Sequence, residues 1–284
     1  MSATLSGMLS GEDLNVFQRD GFIVVRGLFS RDEAKFVRDA FMEMNRNGPV
    51  DGLSETRRGK VDGTTGGYDP ADPLAFYPRM MHPHKHPEKP VGPVAMKFMT
   101  DARIEAVLSQ LMGESPYAVQ SMFYFKPPGA RGQDFHQDNF YLRVKPGTCM
   151  AAWLALDDCD AENGGMMCVP DTGDYPIQCP DKSDPRLYFT TEHVDIPEGK
   201  TAVLPLLHPG DVLFFNGQTV HGSGPNTSKN RFRRSLICHY VPQSTAAMSN
   251  SYDVYDFSGN RVTHIQANNE GGPCGTLQAA MAPH

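Results

Sequence analysis

Polar and apolar positions along the chain fall into two regimes. Up to about residue 113 apolar residues recur at helical spacing with one strand-like interruption; beyond it they come in short, nearly unbroken runs. Ser10-Gly11-Glu12-Asp13 ahead of Leu14, Val16 and Phe17 predicts a short capped helix, and Gly21 to Gly27 has the β-branched character of a strand. Ser30-Arg31-Asp32-Glu33 fits a capping box, and Ala34, Phe36, Val37, Ala40, Phe41 and Met44 form one apolar helical face, expected to pack on the core. From Asn45 to about Pro93 the periodicity gives way to Gly, Pro and charge, most densely at Val61-Asp62-Gly63-Thr64-Thr65-Gly66-Gly67. So long a loop in a compact domain is either a lid over a site or plain disorder. Inside it His82, His84 and His86 alternate, but Pro83, Pro87 and the lack of a carboxylate pattern favour a solvated loop over a metal site. A further helix is expected over Asp101–Met112, closed by Gly113.

Strands dominate from there: Tyr117–Phe125, Met150–Leu156, Gly165–Pro170, Asp211–Phe215 and Arg233–Val241, separated by turn signals such as His208-Pro209-Gly210. Helices first and many short strands later predict an α+β chain built on a double-sheet barrel. With neither an internal repeat nor a convincing linker, residues 1–284 are expected to form one domain, its core about 10–245.

Charge narrows the partners. A net charge of −7 over 284 residues, with no run of Lys or Arg, argues against nucleic acid or an anionic membrane surface and leaves a small molecule as the expected partner. The N-terminus lacks a basic segment followed by an apolar one, and no apolar run approaches the roughly eighteen residues that span a bilayer, so a cytosolic protein is expected. Six cysteines without a Cys-x-x-Cys pair carry neither a zinc ribbon nor a redox motif; free thiols in a reducing compartment are the expectation. Oligomeric state leaves no sign in the sequence.

Candidate chemistry starts at Phe135-His136-Gln137-Asp138-Asn139-Phe140-Tyr141, which sets an imidazole and a carboxylate two residues apart in a strand-like run, hence on one face. Alone, this spacing is a common coincidence. His221 changes its weight: it stands at the end of a strand inside the turn Gly217–Asn226, where glycines leave room for a ligand. Two histidines and one carboxylate are the donor set of non-haem Fe(II) oxygenases. Arg233 and Ser235 share a face of the last strand, and a guanidinium fork beside a hydroxyl suits a carboxylate.

The chain resembles the phytanoyl-CoA dioxygenase family of Fe(II)- and 2-oxoglutarate-dependent oxygenases. The resemblance rests on Gln120-Ser121-Met122, Lys126-Pro127-Pro128-Gly129, His136-Gln137-Asp138, Trp153, Glu162-Asn163-Gly164-Gly165, His208-Pro209-Gly210-Asp211, His221-Gly222-Ser223 and Arg233-x-Ser235, in order over roughly residues 10 to 245. It implies a double-stranded β-helix (jelly-roll) core with flanking helices, and iron held by His136, Asp138 and His221. It also implies 2-oxoglutarate bound at its distal carboxylate by Arg233, with Ser235 or Ser223 assisting, and a co-substrate pocket lined by Met122, Gln137 and Trp153. The implied reaction consumes O2 and 2-oxoglutarate, releases succinate and CO2, and most often hydroxylates a C–H bond of a small metabolite. Desaturation, epoxidation and ring closure stay open, since substrate placement decides them. Related halogenases have a small residue where Asp138 stands, so the carboxylate favours oxygenation.

Gln120, Tyr124, Asn139 and Arg143 are candidate substrate contacts, being polar and near the proposed ligands in sequence; core packing is the alternative for Tyr124. The stretch Asp171–Leu204 reads as an insertion that covers the barrel mouth or decorates it, with Arg186 and Tyr188 the residues that could reach substrate. A competing reading is a non-enzymatic jelly roll that binds or senses iron or 2-oxoglutarate.

Overall fold

The computed structural model describes residues 9–55 and 71–268. Helix α1 (Gly11–Asp20), strand β1 (Phe22–Val25) and helix α2 (Arg31–Met44) follow as expected. Ser10 with Asp13, and Ser30 with Glu33, close reciprocal capping boxes that satisfy otherwise orphaned N–H groups. Gly21, with φ of +81°, ends α1, and a side chain there would also strike Thr219 Oγ1 at 2.5 Å.

The stretch expected as loop is partly ordered. It holds a one-turn helix α3 (Pro73–Phe76), a short strand β2 (Met80–Met81), a 3-10 turn at Pro83–Lys85, and helix α4 (Val91–Met99), which the periodicity did not predict. Gly92 and Pro93 read as loop, yet both sit in the first turn of α4, where a proline removes no intrahelical hydrogen bond. Val61–Gly67 lies outside the described residues. The solvated-histidine expectation fails at His84, which is buried with Nδ1 2.6 Å from Ser121 Oγ. The cause is β2, which docks on the barrel and carries the following turn inward. Helix α5 (Ala102–Met112) is opened by Asp101 and closed by Gly113.

The barrel strands are β3 (Pro116–Tyr124), β4 (Gln133–His136), β5 (Met150–Ala155) and β6 (Met166–Cys168), with a one-turn helix α6 (Asn139–Leu142) after β4. A hairpin of β7 (Asp181–Lys182) and β8 (Glu192–His193) lies in the insertion, followed by β9 (Val212–Asn216), β10 (His221–Ser223) and β11 (Ser235–Pro242). Short strands β12 (Ala247–Met248), β13 (Val254–Tyr255), β14 (Arg261–Val262) and β15 (Gln266–Ala267) close the described chain. The large sheet runs β1-β9-β5-β11-β3-β13-β14 with β2 beside β3, and the small sheet runs β4-β10-β6. Together they make the α+β jelly roll with flanking helices that the sequence led us to expect.

Alternation along the large sheet sorts its side chains into two layers. Phe123, Leu154, Phe214 and Leu236 pack with Phe41 and Phe98 of the helices, and Phe41 stacks on Phe123 with ring centroids 4.1 Å apart. Met122, Trp153, Leu213, Phe215 and Ile237 face the other way, toward Met166 and Cys168 of the small sheet. Buried on both faces, β5, β9 and β11 read in sequence as continuous apolar runs. Cys149, Cys159, Cys168 and Cys238 are free and buried, but Cys179 is disulfide-bonded. That corrects the all-thiol expectation and removes its support for a reducing compartment; spacing along a chain does not show which sulfurs the fold brings into reach. Among the described residues no helix is long and apolar enough to cross a membrane.

Candidate active site

Strands β4 and β10 pair with His136 opposite His221, so sheet register alone brings the two imidazoles together, ring centroids 4.2 Å apart and planes tilted by 54°. Asp138 arrives by another route. β4 ends at His136, and Asp138 already has helical backbone angles at the start of α6, so the two do not share a strand face as expected. The turn is closed by Tyr141 and Leu142 amides donating to the Asp138 carbonyl, and it brings the carboxylate back toward the rings. Asp138 Oδ1 ends 3.5 Å from His136 Nε2 and 3.6 Å from His221 Nε2. Among the described residues these three form the one cluster of His, Cys, Asp or Glu able to hold a metal ion, their ligand atoms within 4.8 Å of one another.

The surroundings prepare each donor. His136 Nδ1 lies 2.7 Å from the Asp134 carbonyl and His221 Nδ1 2.8 Å from the Thr219 carbonyl. A carbonyl only accepts, so Nδ1 carries the hydrogen and Nε2 keeps its lone pair for a metal. Burial, reinforced by neighbouring His136, pulls His221 down to about 4, which keeps it neutral. Burial of Asp138 opposes its charge, but the surrounding histidines, with His239 donating a hydrogen bond, more than offset this and leave the carboxyl well below its ordinary range. Two imidazole Nε2 atoms and one ionised carboxylate suit a divalent first-row metal.

Beside this cluster lies a second feature. Arg233 is buried, with Nη1 donating to Ser235 Oγ at 3.0 Å and Nε to the Gly164 carbonyl at 3.2 Å. Lys126, also buried, donates from Nζ to the same carbonyl and to Ser223 Oγ, both at 2.9 Å. Among the described residues no carboxylate is hydrogen-bonded to either cation. Burial, with Arg233 adding to it, pushes Lys126 well below its ordinary range, and burial lowers Arg233 as well. Two cations out of water without an anion are costly, so the pocket calls for one. Gly164, at φ +71°, makes the approach possible: a Cβ there would meet Lys126 Cε at 2.7 Å.

Met122, Tyr124, Trp153 and Ser223 line the same cavity as the His136–Asp138–His221 cluster, and the Arg233 guanidinium lies 5.2 Å from the Trp153 ring. Gln137 is not brought to it. Its amide donates to the Gln218 and Pro176 carbonyls and accepts from the Gln178 amide, which ties the insertion to the β9–β10 turn. Of the candidate substrate contacts, Gln120 faces His239 across the β3–β11 pair, and Tyr124 receives a hydrogen bond from Arg79 on its hydroxyl. Asn139 Oδ1 caps the Val144 amide, Arg143 sits half-buried at φ +54°, and Arg186 points to solvent paired with Asp184. The insertion runs along the outer edge of β4: the Val194 amide donates to the Phe135 carbonyl, Ser183 Oγ to Asp134, and His193 Nδ1 sits 3.0 Å from Asp134. Tyr188 bridges Gly132 there through its backbone.

Lys126, Gln133 and His239 escaped the sequence reading. Gln133 Nε2 lies 3.1 Å from His136 Nε2, and His239 Nε2 lies 2.9 Å from Asp138 Oδ2. A signal existed for two of them: Lys126 heads the motif Lys126-Pro127-Pro128-Gly129, and His239 has the parity of Arg233 and Ser235 on β11.

The family profile described as "Phytanoyl-CoA dioxygenase (PhyH)" matches residues 17–235. The chain belongs to the phytanoyl-CoA dioxygenase family. It is a non-haem iron, 2-oxoglutarate-dependent oxygenase, and Fe(II) and 2-oxoglutarate are its cofactor and co-substrate. Among curated members of the family, it is 26% identical over 261 residues to "Phytanoyl-CoA dioxygenase 1" of Oryza sativa subsp. japonica, covering 83% of this chain and 90% of that one. Its fold is that of the non-haem α-ketoglutarate-dependent carbocyclase SnoK from nogalamycin biosynthesis, with TM-score 0.62 at 19% identity over 94% of this chain and 96% of that one. It is likewise similar to the epimerase SnoN in complex with Fe3+, α-ketoglutarate and nogalamycin RO, with TM-score 0.61 at 22% identity over 83% and 84% of the two chains.

Proposed function

We propose that His136, Asp138 and His221 hold the Fe(II), and that Arg233 takes the distal carboxylate of 2-oxoglutarate with Ser235 and Lys126 beside it. The residues 1–284 are read as a single oxygenase domain that hydroxylates a small metabolite. The observation that carries this reading is the adjacency of two incomplete arrangements: three buried metal donors, and two buried cations lacking an anion. A dicarboxylate co-substrate completes both.

When bound, Fe(II) with 2-oxoglutarate and O2 supplies an oxidant strong enough to take hydrogen from a C–H bond, with release of succinate and CO2. The chain's own residues position and exclude. Asp138 and the two imidazoles fix the metal, Trp153 and Met122 wall the co-substrate, and burial of the whole cluster keeps bulk water out. Gln120, level with His239 on the inner face of β3, is the substrate contact we favour. The name of the rice relative raises a CoA thioester as substrate, but a net charge of −7 with no Lys or Arg run offers little to hold its phosphates.

The test is anaerobic reconstitution with Fe(II) and 2-oxoglutarate, followed by O2 and a panel of metabolites. Succinate should appear in step with a hydroxylated product, and His221→Ala should abolish both metal binding and turnover. Bound iron with no succinate from any substrate would overturn the enzyme reading.

A further inference from the structure

The iron reading leaves His239 without a role, yet His239 makes the closest side-chain contact described for Asp138. It lies on β11 in the same alternating row as Arg233, Ser235 and Ile237, is 1% exposed, and lines the cavity of the metal donors. Its Nε2 stands 2.9 Å from Asp138 Oδ2, while the other oxygen, Oδ1, faces His136 Nε2 and His221 Nε2. An ionised carboxylate only accepts, so Nε2 carries a hydrogen and donates it to Oδ2. His239 Nδ1 is buried and has no hydrogen-bond partner among the described residues.

Resting on the iron reading above, we propose that His239 is a positioning residue with two ends. Through Nε2 it holds Asp138 Oδ2 away from the metal, so that the carboxylate offers one oxygen and a fixed orientation. Through Nδ1 it makes a hydrogen bond to the substrate, which must therefore carry a polar group near the carbon that is oxidised. Register supports the second end. His239 is paired with Gln120, so an unpartnered ring nitrogen and a side-chain amide stand level on the inner faces of adjacent strands. Such a pair suits a hydrogen-bonding group better than a bare alkyl chain.

The experiment titrates Co(II), as a spectroscopic stand-in for Fe(II), into the metal-free full-length protein, its H239L and H239Q variants, and an H221A control. Loss of an outer partner of a metal ligand weakens metal binding about 10–100-fold. H239L should show that loss together with a changed Co(II) absorption envelope. H239Q, whose side-chain amide can still donate to Asp138, should regain parent affinity and spectrum. Thermal melting of the metal-free forms identifies a folding defect; should H239L not fold, H239Q against parent decides the first end. Parent affinity and spectrum in H239L, or losses in H239Q as deep as those in H239L, overturn the first end. For the second, H239Q should raise the KM of a substrate with a polar group near the oxidised carbon; an unchanged KM overturns it. If the parent binds no Co(II), or H221A keeps it, the iron reading has failed instead.

Discussion

Arg233 and Lys126 are held out of water with neutral oxygens for partners, Ser235, Ser223 and the Gly164 carbonyl. Hydrogen bonds to a charged group contribute about 1.5–3 kcal/mol each, so losing one such contact to the co-substrate should raise the 2-oxoglutarate KM roughly 10–100-fold. R233L is predicted to show this rise, and K126M a rise in the same direction. Steady-state kinetics at saturating Fe(II) measures both, and an unchanged KM in K126M would remove Lys126 from the site. At this scale the sequence was legible wherever a residue's chemistry is rare at its position: His136, Asp138, His221 and Arg233 stood out. Gln137 did not belong with them, because its amide is spent on the Gln218, Pro176 and Gln178 backbone, which no spacing rule reveals.

Elements were legible where local signals decide them. Both capping boxes and the Gly21 and Gly113 stops follow from groups within four residues of each other. α4 was missed because its first turn contains Gly92 and Pro93, and its stability comes from burying Val91, Ala95, Phe98 and Met99 against the barrel, not from propensity. The end of β4 was misread for a similar reason: His136 continues the small sheet, while Asp138 starts α6 under contacts closed by residues farther on. The helix layer and the site use opposite faces of one sheet, which separates their energetics. Phe41→Ala removes the ring stacked on Phe123 and is predicted to cost about 3–5 kcal/mol of stability. Chemical denaturation measures that loss; Co(II) affinity of the folded fraction should not change, since Phe41 packs on the side away from Trp153 and Met122.

On the scale of the whole molecule, burial of neutral histidines couples the fold to pH. Burial first, then nearby Lys85 for His82 and nearby His82 for His84, lowers them to about 4 and about 3. The unfolded chain binds these protons near the ordinary histidine value of about 6.5, and the folded chain only near 4 and 3, so between these values the unfolded state holds more protons. The stability is fully present above about pH 6.5 and is lost as pH falls toward the folded values. The urea midpoint of the metal-free protein should therefore drop between pH 7 and pH 5, and His84→Gln should flatten that dependence; an equal slope in the variant would contradict it. The sequence by itself determined the class of fold, the helix caps, the continuous apolar strands and the candidate set His136, Asp138 and His221, because these depend on residue type and short-range spacing. Only the tertiary structure decided that Asp138 reaches the site from a helix start, that Lys126 joins Arg233, and that His239 grips the free oxygen of Asp138. Each depends on strands distant in sequence coming into register, and that register is set by packing summed over the whole barrel.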